Sequence, residues 1–290
     1  MKKAYSKYLV SLLLFGSNGV IASYIALNSH EIVLSRTIIG CLFLLGIFFI
    51  TKQKFQAWKN KKNFLHLIIS GAAMGASWMF LYEAYTQVGV SLATLAYSCG
   101  PVIVMVLACI LFHEKLTPFK LIGLALVLAG IVFVNAQELT QGKLSWGLVC
   151  GILSAILYAV MVIANKKVKG ISGLENTIYQ LAMGFIVVCT FTLVKQGINI
   201  HIPAQSILPI LFLGIVNTGI GCYLYFSSIT HLPAQSVAIC GYLEPVSALA
   251  FSALFLSEQL SWLQLLGAAF ILGGAAFGEL IKQQNSQSMS

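Results

Sequence analysis

Residues 101–133 read PVIVMVLACILFHEKLTPFKLIGLALVLAGIVF, and residues 245–277 read PVSALAFSALFLSEQLSWLQLLGAAFILGGAAF. Set 144 residues apart without a gap, the two stretches agree at 10 of 33 positions. The shared residues are Pro101-Val102, Glu114, Leu116, Leu121, Gly123, Ala125, Leu128, Gly130 and Phe133. Their partners are Pro245-Val246, Glu258, Leu260, Leu265, Gly267, Ala269, Leu272, Gly274 and Phe277. Apolar composition alone inflates matches, but it does not put Pro, Glu and Gly in register. The same offset carries Glu31 onto Glu175, Gly40 onto Gly184 and Gly75 onto Gly219, so 31–134 aligns on 175–278. A repeat of this length marks a duplicated structural unit.

The composition says what medium that unit lives in. Of 290 residues 59% are hydrophobic and 9% are charged, against about 25% charged in an ordinary soluble domain. A soluble chain of this size cannot hide so much apolar surface, because much of its surface must face water. Disorder, coiled coil and disulfide scaffold are excluded on the same ground. The net charge of +9 does not point to nucleic acid in so apolar a chain. The expected class is an all-α integral membrane protein. The seven cysteines lie in apolar runs, their number is odd and no C-x-x-C occurs, so they read as small hydrophobes.

A spanning helix takes about 20 apolar residues. Breaks at Lys, Pro, Asn and Gln clusters predict ten spans, at 8–27, 30–50, 64–87, 90–112, 118–136, 146–165, 174–195, 207–230, 234–256 and 262–281. Met1-Lys2-Lys3 before an apolar run resembles a signal peptide, but nine spans follow, so the first is read as a retained helix. With the N-terminus in the cytoplasm, every lysine except Lys143 and Lys195 falls on the inner side. This bias places both termini in the cytoplasm of a multi-pass protein of the cell membrane. Each repeat holds five spans. Five is odd, so the second repeat enters the membrane the other way up. Such inverted repeats are a transporter architecture, two halves rocking about a midplane site. The units are 1–137 and 138–281, followed by a polar cytoplasmic tail, 282–290.

The repeated blocks, with Glu114-Lys115-Leu116 in one and Tyr242-Leu243-Glu244-Pro245 and Glu258-Gln259-Leu260 in the other, resemble the two EamA domains of the drug/metabolite transporter superfamily. Phe15-Gly16-Ser17-Asn18, Arg36, and Tyr158 followed by Asn165-Lys166-Lys167 resemble it too. The resemblance covers essentially the whole chain. It implies a ten-helix carrier of small organic metabolites or amino acids, usually outward. It further implies that spans 1, 3, 4, 6, 8 and 9 line a central cavity and that spans 5 and 10 are peripheral.

Several residues stand out as cargo contacts. Glu244 sits about ten residues into the ninth span, beside Pro245. A carboxylate at that depth costs several kcal/mol unless it faces protein or water. Pro245 has no N–H to donate, so a freed carbonyl accompanies the acid. The alternative is a structural acid bonded to neighbouring hydroxyls or backbone. Trp78 and Tyr82 share a helix face with Gly71 and Gly75, the glycines for close packing and the aromatics for a cavity wall. Asn18, among Gly16, Ser17 and Gly19, and Asn217, beside Thr218 and Gly219, read as a hinge or substrate hydrogen bond, or as interhelical bonds. Tyr97, Tyr158 and Tyr242 are mid-span phenols, and Pro101 shares a face with Tyr97 as a helix break matching Pro245. Arg36 and Glu83 have similar predicted depths, which suits an ion pair or outer gate; Gln180 is the repeat partner of Arg36. Glu114 and Glu258 would lie on opposite membrane sides and read as structural.

There is no G-x-x-x-x-G-K-[ST] loop, no H-E-x-x-H and no Asp for an aspartyl-phosphate. No enzyme, cofactor or metal site is expected. The reading is a secondary transporter of a small-molecule substrate in the lipid bilayer, an amino acid or close relative, driven by a cargo, proton or counter-solute gradient. A cation/proton antiporter of drugs and a non-transporting membrane scaffold are the alternatives. Gly123/Gly130 and Gly267/Gly274, seven apart, serve either packing within the bundle or a homodimer.

Overall fold

A computed structural model describes residues 2–88, 93, 96–114, 117–134, 146–197, 202–257 and 261–287. The junction at 137/138, Lys143, Glu258 and the first residues of the predicted fourth span lie outside the described residues. Every regular element among the described residues is helical. Six helices are long and apolar enough to cross a membrane: Ser29–Ile50, Lys61–Gln87, Trp146–Lys166, Gly173–Lys195, Ala204–Ile229 and Ala234–Phe255. Cys99–Phe112, Pro118–Phe133 and Trp262–Phe277 are shorter apolar helices.

We number the elements α1 (Lys2–Gly16), α2 (Asn18–Ser23), α3 (Ser29–Ile50), α4 (Lys61–Val88), α5 (Cys99–Phe112), α6 (Pro118–Val134) and α7 (Trp146–Lys166). There follow α8 (Gly173–Gln196), α9 (Ile207–Phe212), α10 (Cys222–Ile229), α11 (Ala234–Gly241), α12 (Leu243–Phe255) and α13 (Trp262–Gln287). Four spans expected as single helices are interrupted. The first breaks at Ser17. The eighth passes through a nine-residue π-helix, Leu213–Gly221, between α9 and α10. The ninth breaks at Tyr242. The fourth likewise has a turn at Ser98.

The prolines explain two of these breaks. Pro101 and Pro245 are the third residues of α5 and α12. A proline fits a first turn, where its missing N–H has no partner to lose, and it denies a bond to the carbonyl four residues earlier. Those carbonyls belong to Tyr97 and Gly241. The breaks then meet: Tyr242 Oη donates to Ser98 O at 2.8 Å, across a sequence separation of 144 residues.

Helix ends follow from short polar signals. Asn28 caps α3 by accepting from Glu31 N at 3.0 Å, and the Glu31 carboxylate accepts from Asn28 N at 3.0 Å. Ser172 caps α8 by accepting from Glu175 N. Here the glutamate turns away, and its Oε1 accepts from Gln56 N and Ala57 N at 2.6 and 2.7 Å, docking the connection before α4. Glu114 works similarly at the far end of α5. Its carboxylate accepts from Ala234 N and Gln235 N, the first N–H groups of α11, at 2.8 and 3.1 Å. A carboxylate on a helix N-terminus satisfies orphan donors and favours the dipole.

Inside a bilayer, helices associate through close packing and hydrogen bonds. A Cβ on Gly75 would meet Gly184 O at 2.6 Å, and one on Gly40 would meet Gly214 O at 2.9 Å and Gly219 N at 3.1 Å. Across α6 and α13, a Cβ on Gly130 would meet Gly267 O at 2.6 Å, and one on Gly274 would meet Gly123 O at 2.6 Å. Those four glycines are therefore used inside the chain, so they do not form a free face for a homodimer. Hydroxyls add specificity. Ser77 Oγ donates to Ser154 O at 2.9 Å and Ser154 Oγ donates to Ser77 O at 2.7 Å, tying α4 to α7.

Gly75→Ala pushes a methyl against backbone that has nowhere to go. It is expected to lower stability by about 1–3 kcal/mol in thermal unfolding of the detergent-purified protein. Gly46→Ala, where nothing lies within 4 Å, is expected to change it by less than about 0.5 kcal/mol.

Candidate functional site

Residues beside three of the breaks, and the helix that follows the π-helix, line a cavity of about 80 Å³. Its lining comes from α1 and α2 (Leu12, Phe15, Asn18), α3 (Arg36), α4 (Met74, Ser77, Trp78) and the turn before α5 (Tyr97). From the second half come α7 (Tyr158, Met161), α10 (Cys222, Tyr225, Phe226), and Gly241 and Glu244 at the α11–α12 break. The one contribution outside the spans that the resemblance names is Arg36, from the second.

Aromatic rings form much of the wall. Tyr97 meets Tyr158 edge-on at 5.6 Å, Phe15 lies 5.8 Å from Tyr225, and the hydroxyls of Tyr158 and Tyr225 are 3.5 Å apart. Behind them the buried Tyr8 donates to Val237 O at 2.7 Å, so α1 is pinned to α11. Among the described residues the carboxylate of Glu244 has no hydrogen-bond or salt-bridge partner. The Arg36 guanidinium lies over the Trp78 ring at 4.6 Å, a cation–π contact that holds it without neutralising it. Its Nε is buried without a partner. Arg36 and Glu244 thus share one cavity as unlike charges that do not pair within 4.0 Å.

The sequence candidates divide. Glu244, Trp78, Asn18, Tyr97, Tyr158 and Arg36 line the cavity. Tyr82, Asn217, Tyr242, Glu83, Pro101 and Pro245 are not among its lining residues. Tyr82 is one turn beyond Trp78, against the cluster of Val33, Leu34, Met79 and Val188, with its ring 5.4 Å from Tyr85. Tyr242 is spent on Ser98 O. The expected ion pair of Arg36 with Glu83 is not formed. Glu83 instead bonds Lys195 Nζ, and His30 Nε2 lies 3.9 Å from the same carboxylate oxygen. Helix rotation is the reason: α4 turns Trp78, not Glu83, toward Arg36, and α8 brings Lys195 to Glu83. Asn217 is fully buried and bonds span 1.

Sequence reading missed Phe15, Ser77, Met74, Met161, Tyr225 and Phe226 as lining. Ser77 adjoins Trp78 and carried no signal of its own. Tyr225 was hidden by the π-helix, whose wider turns rotate everything after them off the ordinary helical face.

A helical membrane protein with a central, aromatic-walled cavity holding an unpaired acid and base is built as a transporter. The comparisons agree: the EamA-like transporter family matches residues 2–136 and 145–278, and the chain belongs to that family. It is 25% identical over 292 residues to a Bacillus subtilis (strain 168) protein named "Uncharacterized transporter YxxF", covering 99% of this chain and 92% of that protein. It is 26% identical over 210 residues to Protein PecM of Dickeya dadantii (strain 3937), covering 71% of this chain and 70% of that one. A Salmonella typhimurium protein named "Probable amino-acid metabolite efflux pump" is 27% identical over 194 residues, 63% of this chain and 65% of that one. A solved crystal structure superposes with a TM-score of 0.80 over 96% of this chain and 98% of that chain, at 17% identity, which speaks to the fold alone. The protein is therefore a multi-pass cell-membrane protein of the drug/metabolite transporter type.

Tyr242→Phe removes the bond between the two breaks and little else. A loss of about 1 kcal/mol is expected in thermal unfolding, and no loss would mean that the crossing is held by packing alone.

Proposed function

We propose that the protein exports an amino acid or a close relative by alternating access around this cavity. Glu244, with the carbonyl of Gly241 that Pro245 leaves without its usual donor, meets the cargo's ammonium. Arg36 meets its carboxylate, and Phe15, Trp78, Tyr97, Tyr158 and Tyr225 enclose an apolar side chain. The observation that carries this reading is the pair of unlike, unpaired charges in one aromatic-walled cavity. A buried charge left without a partner is costly, and a zwitterion supplies both partners at once. The amino-acid name borne by the Salmonella relative supports the same class. Arg36 speaks against the cationic-drug alternative, because a cation gains nothing from a second positive charge in its site.

The proposed frame is ten spans in two inverted five-helix units, 1–137 and 138–281, with a tail at 282–290 and both termini in the cytoplasm. Contacts between repeat-related positions support it. Gly130 meets Gly267 as Gly274 meets Gly123, Gly75 and Gly184 meet as Gly219 and Gly40 do, and Tyr242 bonds its own counterpart, Ser98. Reciprocal pairs of this kind arise around a two-fold axis. Pro101 and Pro245 are the proposed hinges at the crossing. Glu83 with Lys195 is the proposed outer fastening between α4 and α8. Drive comes from a gradient of cargo, protons or an exchanged solute.

Proteoliposomes and a panel of labelled L-amino acids test the reading. Counterflow of at least one is expected, and Glu244→Gln and Arg36→Lys should each lower it by about tenfold or more. Absence of uptake and counterflow across the whole panel, with lipid scrambling in the same vesicles, would leave the scaffold alternative standing instead.

A further inference from the structure

We infer that Asn217 is a positioning residue that fixes the polarity of the Asn18 amide, so that Asn18 turns its NH2 toward the cargo and joins Arg36 in making the anion end of the cavity. The inference rests on the proposed carboxylate-bearing cargo and deepens it.

The argument is one of donors and acceptors. Asn217 is fully buried on the π-helix, and its amide nitrogen lies 2.7 Å from Leu14 O. A carbonyl only accepts, so the Asn217 atom facing it must be the NH2 group. The same nitrogen lies 2.9 Å from Ser17 Oγ and 2.9 Å from the side chain of Asn18. Its two hydrogens are shared among these three neighbours, and Ser17 Oγ gives its own hydrogen to Leu14 O at 2.7 Å. An Asn18 NH2 at this distance would face a nitrogen that accepts nothing, so the Asn18 atom here is its oxygen. That leaves the Asn18 nitrogen, which has no hydrogen-bond partner among the described residues and is not among the buried unpaired atoms. Asn18 lines the cavity, so this nitrogen is the polar group it has left to offer there.

Arg36 is in the same condition. Its guanidinium is held over Trp78, and among the described residues no hydrogen bond or ion pair occupies its terminal nitrogens. Two side chains therefore present N–H groups and no acceptor to one cavity, which suits the two oxygens of a carboxylate. A primary amide in the cargo would bring N–H against N–H. The π-helix places the lock. Its wide turn lets Thr218 Oγ1 bond Leu213 O at 2.9 Å, five residues back, and carries Asn217 to the break at Ser17 where α1 stops.

The test is the ratio of affinities for L-phenylalanine and L-phenylalaninamide, measured by binding to the purified full-length protein. The wild type is expected to prefer the carboxylate. Asn217→Ala, which frees Asn18 to rotate, should cut that preference about tenfold, and Asn18→Asp, which replaces the NH2 with oxygen, should cut it at least as far. A structural role alone would weaken both probes together and leave the ratio unchanged. A ratio lost in Asn18→Asp but retained in Asn217→Ala overturns the positioning role. Should Asn217→Ala fail to fold, Asn217→Ser, which likewise removes the amide, takes its place: a reduced ratio supports the positioning role and an unchanged one overturns it. A wild type with no preference overturns the cargo reading itself, and this inference with it.

Discussion

An unpaired backbone N–H or C=O costs several kcal/mol in hydrocarbon, and the architecture of this protein depends on that constraint. Four of its spans depart from regular α-helix: at Ser17, at Ser98, along Leu213–Gly221 and at Tyr242. Each departure frees backbone groups that lipid cannot satisfy, so each must face protein or a polar cavity. They converge. Asn217 reaches from the π-helix to Leu14 O beside the first break, and Tyr242 reaches from the fourth to Ser98 O at the second. The cavity lies where these irregular segments meet, and its unpaired charges occupy the place the broken helices make tolerable. Glycine contacts such as Gly75 with Gly184 keep the regular helices close around it.

Much of this was legible in the residues. Hydrophobic run length marks the helical membrane class, and the 144-residue offset pairs Pro101 with Pro245 and Gly123 with Gly267. The glycines at 75, 130 and 274 sit where backbone touches backbone, a demand that small residues announce. Cavity residues on undisturbed helices, such as Trp78 and Tyr158, could be anticipated from depth and helix face. The errors have two physical causes. Face arithmetic assumes 3.6 residues per turn, and the chain departs from that at the site. The π-helix turned Asn217 toward span 1 and brought Tyr225 into the wall. The choice of Lys195 over Arg36 as the partner of Glu83 depends on how α3, α4 and α8 rotate against one another, which depth along a span does not report.

The contrast between a repeated frame and an unrepeated site has a physical consequence. Under the proposed inverted repeat, Arg36 corresponds to Gln180, Glu244 to Gly100 and Asn18 to Val162, so none of the polar groups assigned to cargo is duplicated. Gln180 instead donates to Asn176 at 3.3 Å, within a buried amide cluster that includes Asn165, and serves the packing of its own half. The residues that recur are the prolines and the close glycines, and the contacts between helices fall at repeat-related positions such as Ser98 and Tyr242. Two-fold frames make the inward- and outward-facing forms close in energy, because each half can adopt the shape of the other. A site with the same symmetry would accept a dipolar cargo in two opposed orientations. In the proposed reading, placing the acid in one half and the base in the other removes that degeneracy, so a dipolar cargo would be held in one direction. On that reading symmetry is kept in the proposed moving frame and given up in the proposed recognition site.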